Sequence, residues 1–234
     1  MDFTYSPRCE ELRSSLLSFM DDHVYPAEPI HDQQREESGD PYSATPIQEE
    51  LKAEARRRGL WNLFLPDEEW GVGLSNADYA PLAEIMGRSI ELAPEATNCA
   101  APDTGNMEVI AMFGTDEQKE RWLVPLLEGQ IRSCFAMTEP DVASSDPRNL
   151  EATAVRDGDE YVINGTKWWT TGAIGSSVAI FMGVTDPEAP PKARYSMILV
   201  PMDAPGVKVE RSMQVFGYHA VSYTHLTLPT KESR

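Results

Sequence analysis

Apolar residues recur at helical spacing from the start of the chain. Leu12, Leu16, Leu17, Phe19 and Met20 fall between charged positions, predicting a helix that Tyr25-Pro26 and Pro29 bring to an end. A charged helix is expected from about Ile47 to Arg58, with Gly59 as its stop, because glycine enters the left-handed conformation at no steric cost. Leu60 to Pro66 is an apolar run that turns through Trp70-Gly71-Val72-Gly73. A third helix carries Leu82, Ile85 and Met86 on one face, and its Pro81 has to lie in the first turn or mark a kink. Thr115-Asp116-Glu117-Gln118 reads as a capping box that opens a helix from Asp116 to Glu128, with Gly129 beyond it. Four or five helices therefore account for the chain up to about residue 130.

Beyond Ser133 the period changes. Glu151 to Arg156, Glu160 to Asn164, Thr166 to Thr171, Val178 to Thr185, Tyr195 to Pro201 and Val207 to Arg211 are short and rich in β-branched and aromatic residues. Asp157-Gly158 and Asn164-Gly165 separate neighbouring runs and read as hairpin turns. Pro187, Pro190 and Pro191 fall in a loop after the longest apolar run, where missing backbone donors cost nothing. The pattern predicts an α+β chain: an all-α domain over 1–132, then an antiparallel β-barrel or sheet domain over 133–220.

Composition narrows the partners. The chain has 234 residues, 20 Lys+Arg against 38 Asp+Glu, and a formal net charge of −18. Such an excess of acid, without a basic run, opposes binding to nucleic acid or to an anionic membrane surface. Cys9, Cys99 and Cys134 form no CxxC pair, and His23, His31, His219 and His225 have no metal-ligand spacing, so neither a disulfide framework nor a metal site is expected. The first residues lack the positive and apolar regions of a signal peptide, and no apolar run approaches the ~18 residues of a membrane span. A cytoplasmic protein is the expectation.

Three segments have chemical potential. Cys134 to Asp146 passes from a short apolar strand into a loop of small side chains, whose N–H groups and two hydroxyls suit an anion such as a diphosphate; the same residues also suit a plain helix-to-sheet linker. No P-loop or GxGxxG pattern is present. Asn164 to Gly172 contains Trp168-Trp169 followed by Thr170 and Thr171. On a regular strand the two indoles point to opposite faces, one for the core and one offering a flat surface to a ring system; an ordinary hairpin strand accounts for the same residues. Ala101 to Met107 reads as an inter-helix loop.

Taken together, Met137-Thr138-Glu139-Pro140, the small residues up to Ser145-Asp146, and Asn164-Gly165-Thr166-Lys167-Trp168-Trp169-Thr170-Thr171 resemble the flavin-binding signature of the acyl-CoA dehydrogenase family. The resemblance runs from about residue 10 to 218 and includes Leu65-Pro66, Gly71-Val72-Gly73-Leu74-Ser75, Gly114 to Leu127, Met197 to Pro201 and Gly206-Val207. The usual loop reads Glu-Pro-Gly-Ala-Gly-Ser-Asp. Here Glu139-Pro140-Asp141-Val142-Ala143-Ser144-Ser145-Asp146 is one residue longer and lacks the glycines, resembling the subgroup whose larger animal members carry an extra kinase-like domain.

The resemblance implies an FAD-dependent dehydrogenase that desaturates acyl-CoA thioesters at α,β, passes a hydride to flavin N5 and hands electrons to electron-transfer flavoprotein, with a homo-oligomer at full length. It implies that Phe135, Ala136, Met137 and Thr138 lie along the isoalloxazine, with Thr138 on the pyrimidine edge. Ser144 and Ser145 would approach the diphosphate or the CoA portion of the substrate, with Ser145 as the substrate contact. Trp169 would pack on the flavin, and Thr170 and Thr171 would offer hydrogen bonds near N5. The family's base is a glutamate of a C-terminal four-helix bundle that this chain is expected to lack, so no catalytic residue is assigned and the chain alone is expected to be inactive. Glu139 has a structural place in the motif. The alternatives are an acyl-CoA oxidase or flavin monooxygenase of the same superfamily, or a non-catalytic binding module. After Val215-Phe216-Gly217-Tyr218, residues 221–234 resemble translated sequencing-adapter sequence and are expected to be a non-native tail; a divergent strand over Tyr223 to Leu228 is the other reading.

Overall fold

The computed structural model describes residues 4–215, 218–227 and 230–233, so Phe216, Gly217, Leu228 and Pro229 of the C-terminal stretch lie outside the described residues. The chain divides into two units, Met1–Gly129 and Gln130–Arg234.

The first unit is helical. Its α segments are α1 (Pro7–Phe19), α2 (Tyr25–Ser38), α3 (Pro46–Arg57), α4 (Asn76–Met86), α5 (Ala93–Ala96), α6 (Asp103–Phe113), α7 (Asp116–Gln118) and α8 (Val124–Leu127). The prolines do not stop the first helix. A π turn over Met20–Val24 carries α1 directly into α2, and a second π turn over Lys119–Leu123 carries α7 into α8. Each π turn lies just before a proline, Pro26 and Pro125, in the first turn of the segment that follows. A proline ring clashes with the carbonyl four residues earlier in a regular α-helix. Those carbonyls belong to Asp22 and Arg121, both inside the widened turns, and the wider turn relieves the clash.

Caps set the boundaries. Thr115 and Gln118 form the expected box, with the Thr115 amide donating to Gln118 Oε1 at 3.0 Å and the Gln118 amide to Thr115 Oγ1 at 3.2 Å. Thr45 and Gln48 form another at the start of α3, and Gly59 follows that helix at φ +70°. Of the two places open to Pro81, the structure shows the interior one: it lies past the first turn of α4, buried beside Leu82, Ile85 and Met86. One expectation needs correction. Asp103 to Met107 is the opening of α6 rather than a loop, with Asp103, Asn106 and Met107 turned into the core. Among the described residues no helix is long and apolar enough to cross a membrane.

The second unit contains β1 (Ser133–Ala136), β2 (Thr153–Asp157), β3 (Glu160–Asn164), β4 (Thr166–Thr171), β5 (Val178–Val184), β6 (Tyr195–Pro201), β7 (Lys208–Val215), β8 (Tyr218–Thr227) and β9 (Thr230–Ser233). One sheet runs β1-β5-β2-β3-β9 with β6 also on β5, and the other runs β4-β8-β7. The first sheet is mixed rather than antiparallel. β6 pairs antiparallel with the whole of β5, whereas β1 joins its first half and β2 meets it at Val184, both parallel. Parallel neighbours need a long connection, and residues 137–177 supply it between β1 and β5. Ala152, Ala154, Ile163, Phe181 and Val200 form a core of this unit.

The two turn signals have different outcomes. β2 and β3 form a hairpin closed by Gly158-Asp159, and only the glycine has positive φ, +65°, the requirement of a turn with glycine at its first central position. Asn164-Gly165 is not a hairpin. Gly165 carries the chain from β3 in one sheet to β4 in the other, and it passes so close to Ala152 that an added Cβ would lie 2.4 Å from the Ala152 Cβ. The backbone of residues 218–227 and 230–233 pairs with β4, β7 and β3.

Candidate functional site

β1 alternates as its sequence dictates. Cys134 and Ala136 are buried against Ala173 and Ala179, while Phe135 and, just past the strand, Met137 remain half-buried. Cross-links then bind the following residues to β4. The Trp168 amide donates to Thr138 O at 3.0 Å, and Thr138 Oγ1 returns a bond to Trp168 O at 2.6 Å. Because a carbonyl can only accept, the Thr138 hydroxyl has its proton committed to Trp168 and keeps lone pairs for a further donor.

Beneath this link is a buried ion pair that the sequence patterns did not single out. Lys167 is fully buried, and its Nζ donates to Met137 O, Glu139 Oε1 and Met182 O, each at 2.7 Å. Three donors meet three acceptors, leaving the ammonium satisfied. Glu139 Oε2 accepts the Glu151 amide at 2.8 Å, and Oε1 also accepts that of Ala152 at 3.0 Å. Burial pushes the Lys167 pKa below the ordinary lysine range, and the Glu139 carboxylate opposes that shift. Glu139 is thus committed to holding loop and sheet together, which fits the structural place its motif gave it.

The small-residue loop closes on itself. Ser144 Oγ accepts the Glu139 amide at 2.6 Å and is buried, so its hydroxyl faces inward. Of the two serines, Ser145 is the exposed one. Asp146 caps the Arg148 amide at 3.0 Å and grips the Arg148 guanidinium, whose hydrogen bonds draw the Asp146 pKa down to about 2.

β4 departs from a regular strand. Its register on β8 shifts between Lys167 and Thr170, and Trp169 has φ +54°. That is a β-bulge, and a bulky residue at positive φ is a genuine backbone outlier. The extra residue resets the alternation, so that Lys167 and Thr170 are both buried while Trp168, Trp169 and Thr171 retain accessible surface. The two indoles therefore do not take opposite faces: their rings lie 6.0 Å apart at an interplanar angle of 60°, and Trp169 is 39% exposed. Thr170 is turned away from the accessible surface, with its buried Oγ1 lacking a hydrogen-bond partner. Of the two threonines, Thr171 is the one available to a ligand.

Comparison with solved structures places this two-unit architecture first in a fold class. It superposes with a TM-score of 0.90 and 51% identity on a structure assigned to the acyl-CoA dehydrogenases from Mycobacterium abscessus, covering 97% of this chain and 58% of that one. A glutaryl-CoA dehydrogenase from Mycobacterium smegmatis, solved in complex with FADH2, shares the fold with a TM-score of 0.74 at 22% identity, over 97% of this chain and 54% of that one. Residues 6–130 match the family described as acyl-CoA dehydrogenase, N-terminal domain, and residues 134–230 match acyl-CoA dehydrogenase, middle domain. The chain belongs to the acyl-CoA dehydrogenase family. It is 55% identical over 221 residues to the "Probable acyl-CoA dehydrogenase FadE2" of Mycobacterium tuberculosis, covering 93% of this chain and 54% of the relative. The chain thus spans about half the length of this curated relative.

Proposed function

We propose that the β unit supplies a flavin platform to an acyl-CoA dehydrogenase. The observation that carries this reading is the bulge in β4, which holds an accessible indole at a backbone conformation costing about 1–3 kcal/mol, a strain typical of functional positions. A tricyclic isoalloxazine needs a flat apolar surface with hydrogen-bonding groups at its edges. Trp169 offers the surface, Thr138 is tied to the adjacent Trp168, and Thr171 follows two residues on with accessible surface, so the residues present fit the group. FAD, when bound, would accept the hydride released from Cβ of an acyl thioester.

Each residue has a definite task in this reading. Trp169 packs on the ring, Phe135 and Met137 line its approach with the buried Ala136 behind them, and Thr171 hydrogen-bonds near N5. Thr138 accepts from the pyrimidine edge, since its proton is committed to Trp168. Ser145 meets the diphosphate or the CoA portion of the substrate, while Ser144 and Thr170 support the loop and strand from inside. The proton at Cα has no base among these residues, because both Glu139 oxygens are already engaged. The 234-residue chain by itself is accordingly expected to bind flavin without reducing it when an acyl-CoA is added. The whole protein's substrate is proposed as an acyl-CoA, its electron acceptor as electron-transfer flavoprotein and its assembly as a homo-oligomer. The domain reading proposed is a helical domain over 1–132 and a flavin-binding β domain that begins at residue 133 and includes the residues that pair with β4.

Replacing Thr171 with Val removes one hydroxyl at constant shape. A hydrogen bond of about 0.5–1.5 kcal/mol corresponds to roughly a two- to twelvefold loss in affinity, measured by titrating FAD against the quenching of its own fluorescence. Thr170→Val is expected to leave FAD affinity unchanged. Equal effects of the two substitutions would remove the distinction drawn between them.

A further inference from the structure

The Lys167–Glu139 pair has a consequence for the site beyond holding two strands together. Lys167 is adjacent to the bulged Trp168-Trp169 step, and its three acceptors come from three different places: Met137 O at the end of the first motif, Glu139 Oε1 in the loop, and Met182 O on β5. Its neighbour Trp168 is separately tied in both directions to Thr138. The backbone of 137–139 and that of 167–168 are thereby joined on both the buried and the partly exposed side. A bulge locally interrupts the ladder. Here the ladder to β8 resumes only at Thr170, and the Lys167 and Trp168 cross-links hold the step at which the chain enters the bulge.

We propose that Lys167 and Glu139 are positioning residues for flavin binding: their buried pair locks the β4 bulge against Met137–Thr138 and fixes the angle at which Trp169 presents its ring. The pair touches neither cofactor nor substrate and acts through Trp169 and Thr138. This rests on the flavin reading above. An ammonium with three tetrahedral donors suits three acceptors arranged around it, whereas a planar guanidinium does not, so a lysine rather than an arginine is required. The unpartnered Thr170 Oγ1 marks the same segment as one whose geometry is imposed by its surroundings and not by its own hydrogen bonds.

The test uses the whole chain and two variants. Glu139→Gln combined with Lys167→Met removes both charges at similar volume and so avoids a lone buried ion. Lys167→Arg keeps the charge opposite Glu139 but not the three-way geometry. For each, far-UV circular dichroism and a thermal melt establish the folded range. FAD affinity and the exciton-coupled circular dichroism of the Trp168–Trp169 pair are then measured well below the melting temperature. A purely structural pair would lower the melting temperature and leave both signals unchanged in the folded protein. The expected result is at least a tenfold weaker FAD affinity and a tryptophan signal reduced by about half in the double variant, with a smaller change of the same sign in Lys167→Arg. A folded variant with FAD affinity within twofold of the parent and an unaltered tryptophan signal overturns the proposal. If the double variant does not fold, Lys167→Arg alone decides by the same two readouts. If the parent chain shows no saturable FAD binding, the flavin reading fails, and the tryptophan signal alone decides whether the pair positions the bulge.

Discussion

Glu139→Ala is expected to cost the β unit about 3–5 kcal/mol, the usual penalty for removing one partner of a buried ion pair. Three groups are affected at once: the Lys167 ammonium loses its counter-ion and one of three acceptors, and the amides of Glu151 and Ala152 lose theirs. Lys167 is fully buried and cannot turn to water without moving β4. Against a total stability of roughly 5–15 kcal/mol for a domain, such a loss removes a large share of the folding free energy. Urea denaturation followed by tryptophan fluorescence measures it. The pH dependence gives a second check. Burial already depresses the Lys167 pKa, and taking away the carboxylate removes the influence that opposes the shift. A lysine whose folded pKa lies below its unfolded value holds fewer protons when folded at any pH between the two, so stability rises with pH through that window and levels off above the unfolded value of about 10.4. The variant should therefore recover part of its lost stability as the pH is raised toward about 10, and do so more than the parent. A midpoint unchanged from the parent would show that Glu139 is not the partner described here.

Gly165→Ala is expected to be nearly as damaging for a steric reason. The new Cβ would meet the Ala152 Cβ at 2.4 Å and its Cα at 3.0 Å. Ala152 has no freedom to retreat, because its amide is bound by Glu139 and its carbonyl accepts the Val184 amide at 2.8 Å. Overpacking of this kind costs about 1–3 kcal/mol, and a rigid neighbour places the effect at the upper end. The clash predicts its own remedy. Ala152→Gly, destabilising alone, should restore most of the stability when combined with Gly165→Ala, giving a favourable coupling in a double-mutant cycle. Additive effects in that cycle would mean that the two residues are not in the contact described.

Much of the fold is written in local pattern. The strands from β3 to β6 fall within a residue or two of the positions at which β-branched and aromatic residues cluster, because a strand's period of two is a property of neighbouring residues. The Thr115–Gln118 box was legible for the same reason: both partners lie within one helical turn. Local rules failed where a distant group or a change of helical geometry decided the outcome. Pro26 breaks an α-helix by rule, but the π turn ahead of it supplies a geometry that the rule does not consider. Asn164-Gly165 carries the same signal for a hairpin and for a passage between sheets, and it is Ala152, thirteen residues earlier, that needs the glycine. The candidate site divides likewise. Its loop, its tryptophans and Thr171 are visible as residue types. The bulge is not, because Thr166 to Thr171 has the composition of an uninterrupted strand. Nor is the inward turn of Lys167, whose partner Glu139 stands twenty-eight residues before it. A buried lysine can be inferred from sequence only when its counter-ion is known.

The central claim is that the accessible indole on the β4 bulge is the surface on which flavin rests. Titrating FAD into the chain and into Trp169→Phe and Trp168→Phe variants, while following tryptophan emission, tests it directly. The account predicts saturable quenching in the parent chain. It also predicts that Trp169→Phe loses most of that quenching and binds FAD more weakly, while Trp168→Phe retains it. Quenching that survives in Trp169→Phe and disappears in Trp168→Phe, or no saturable quenching in the parent, would contradict it.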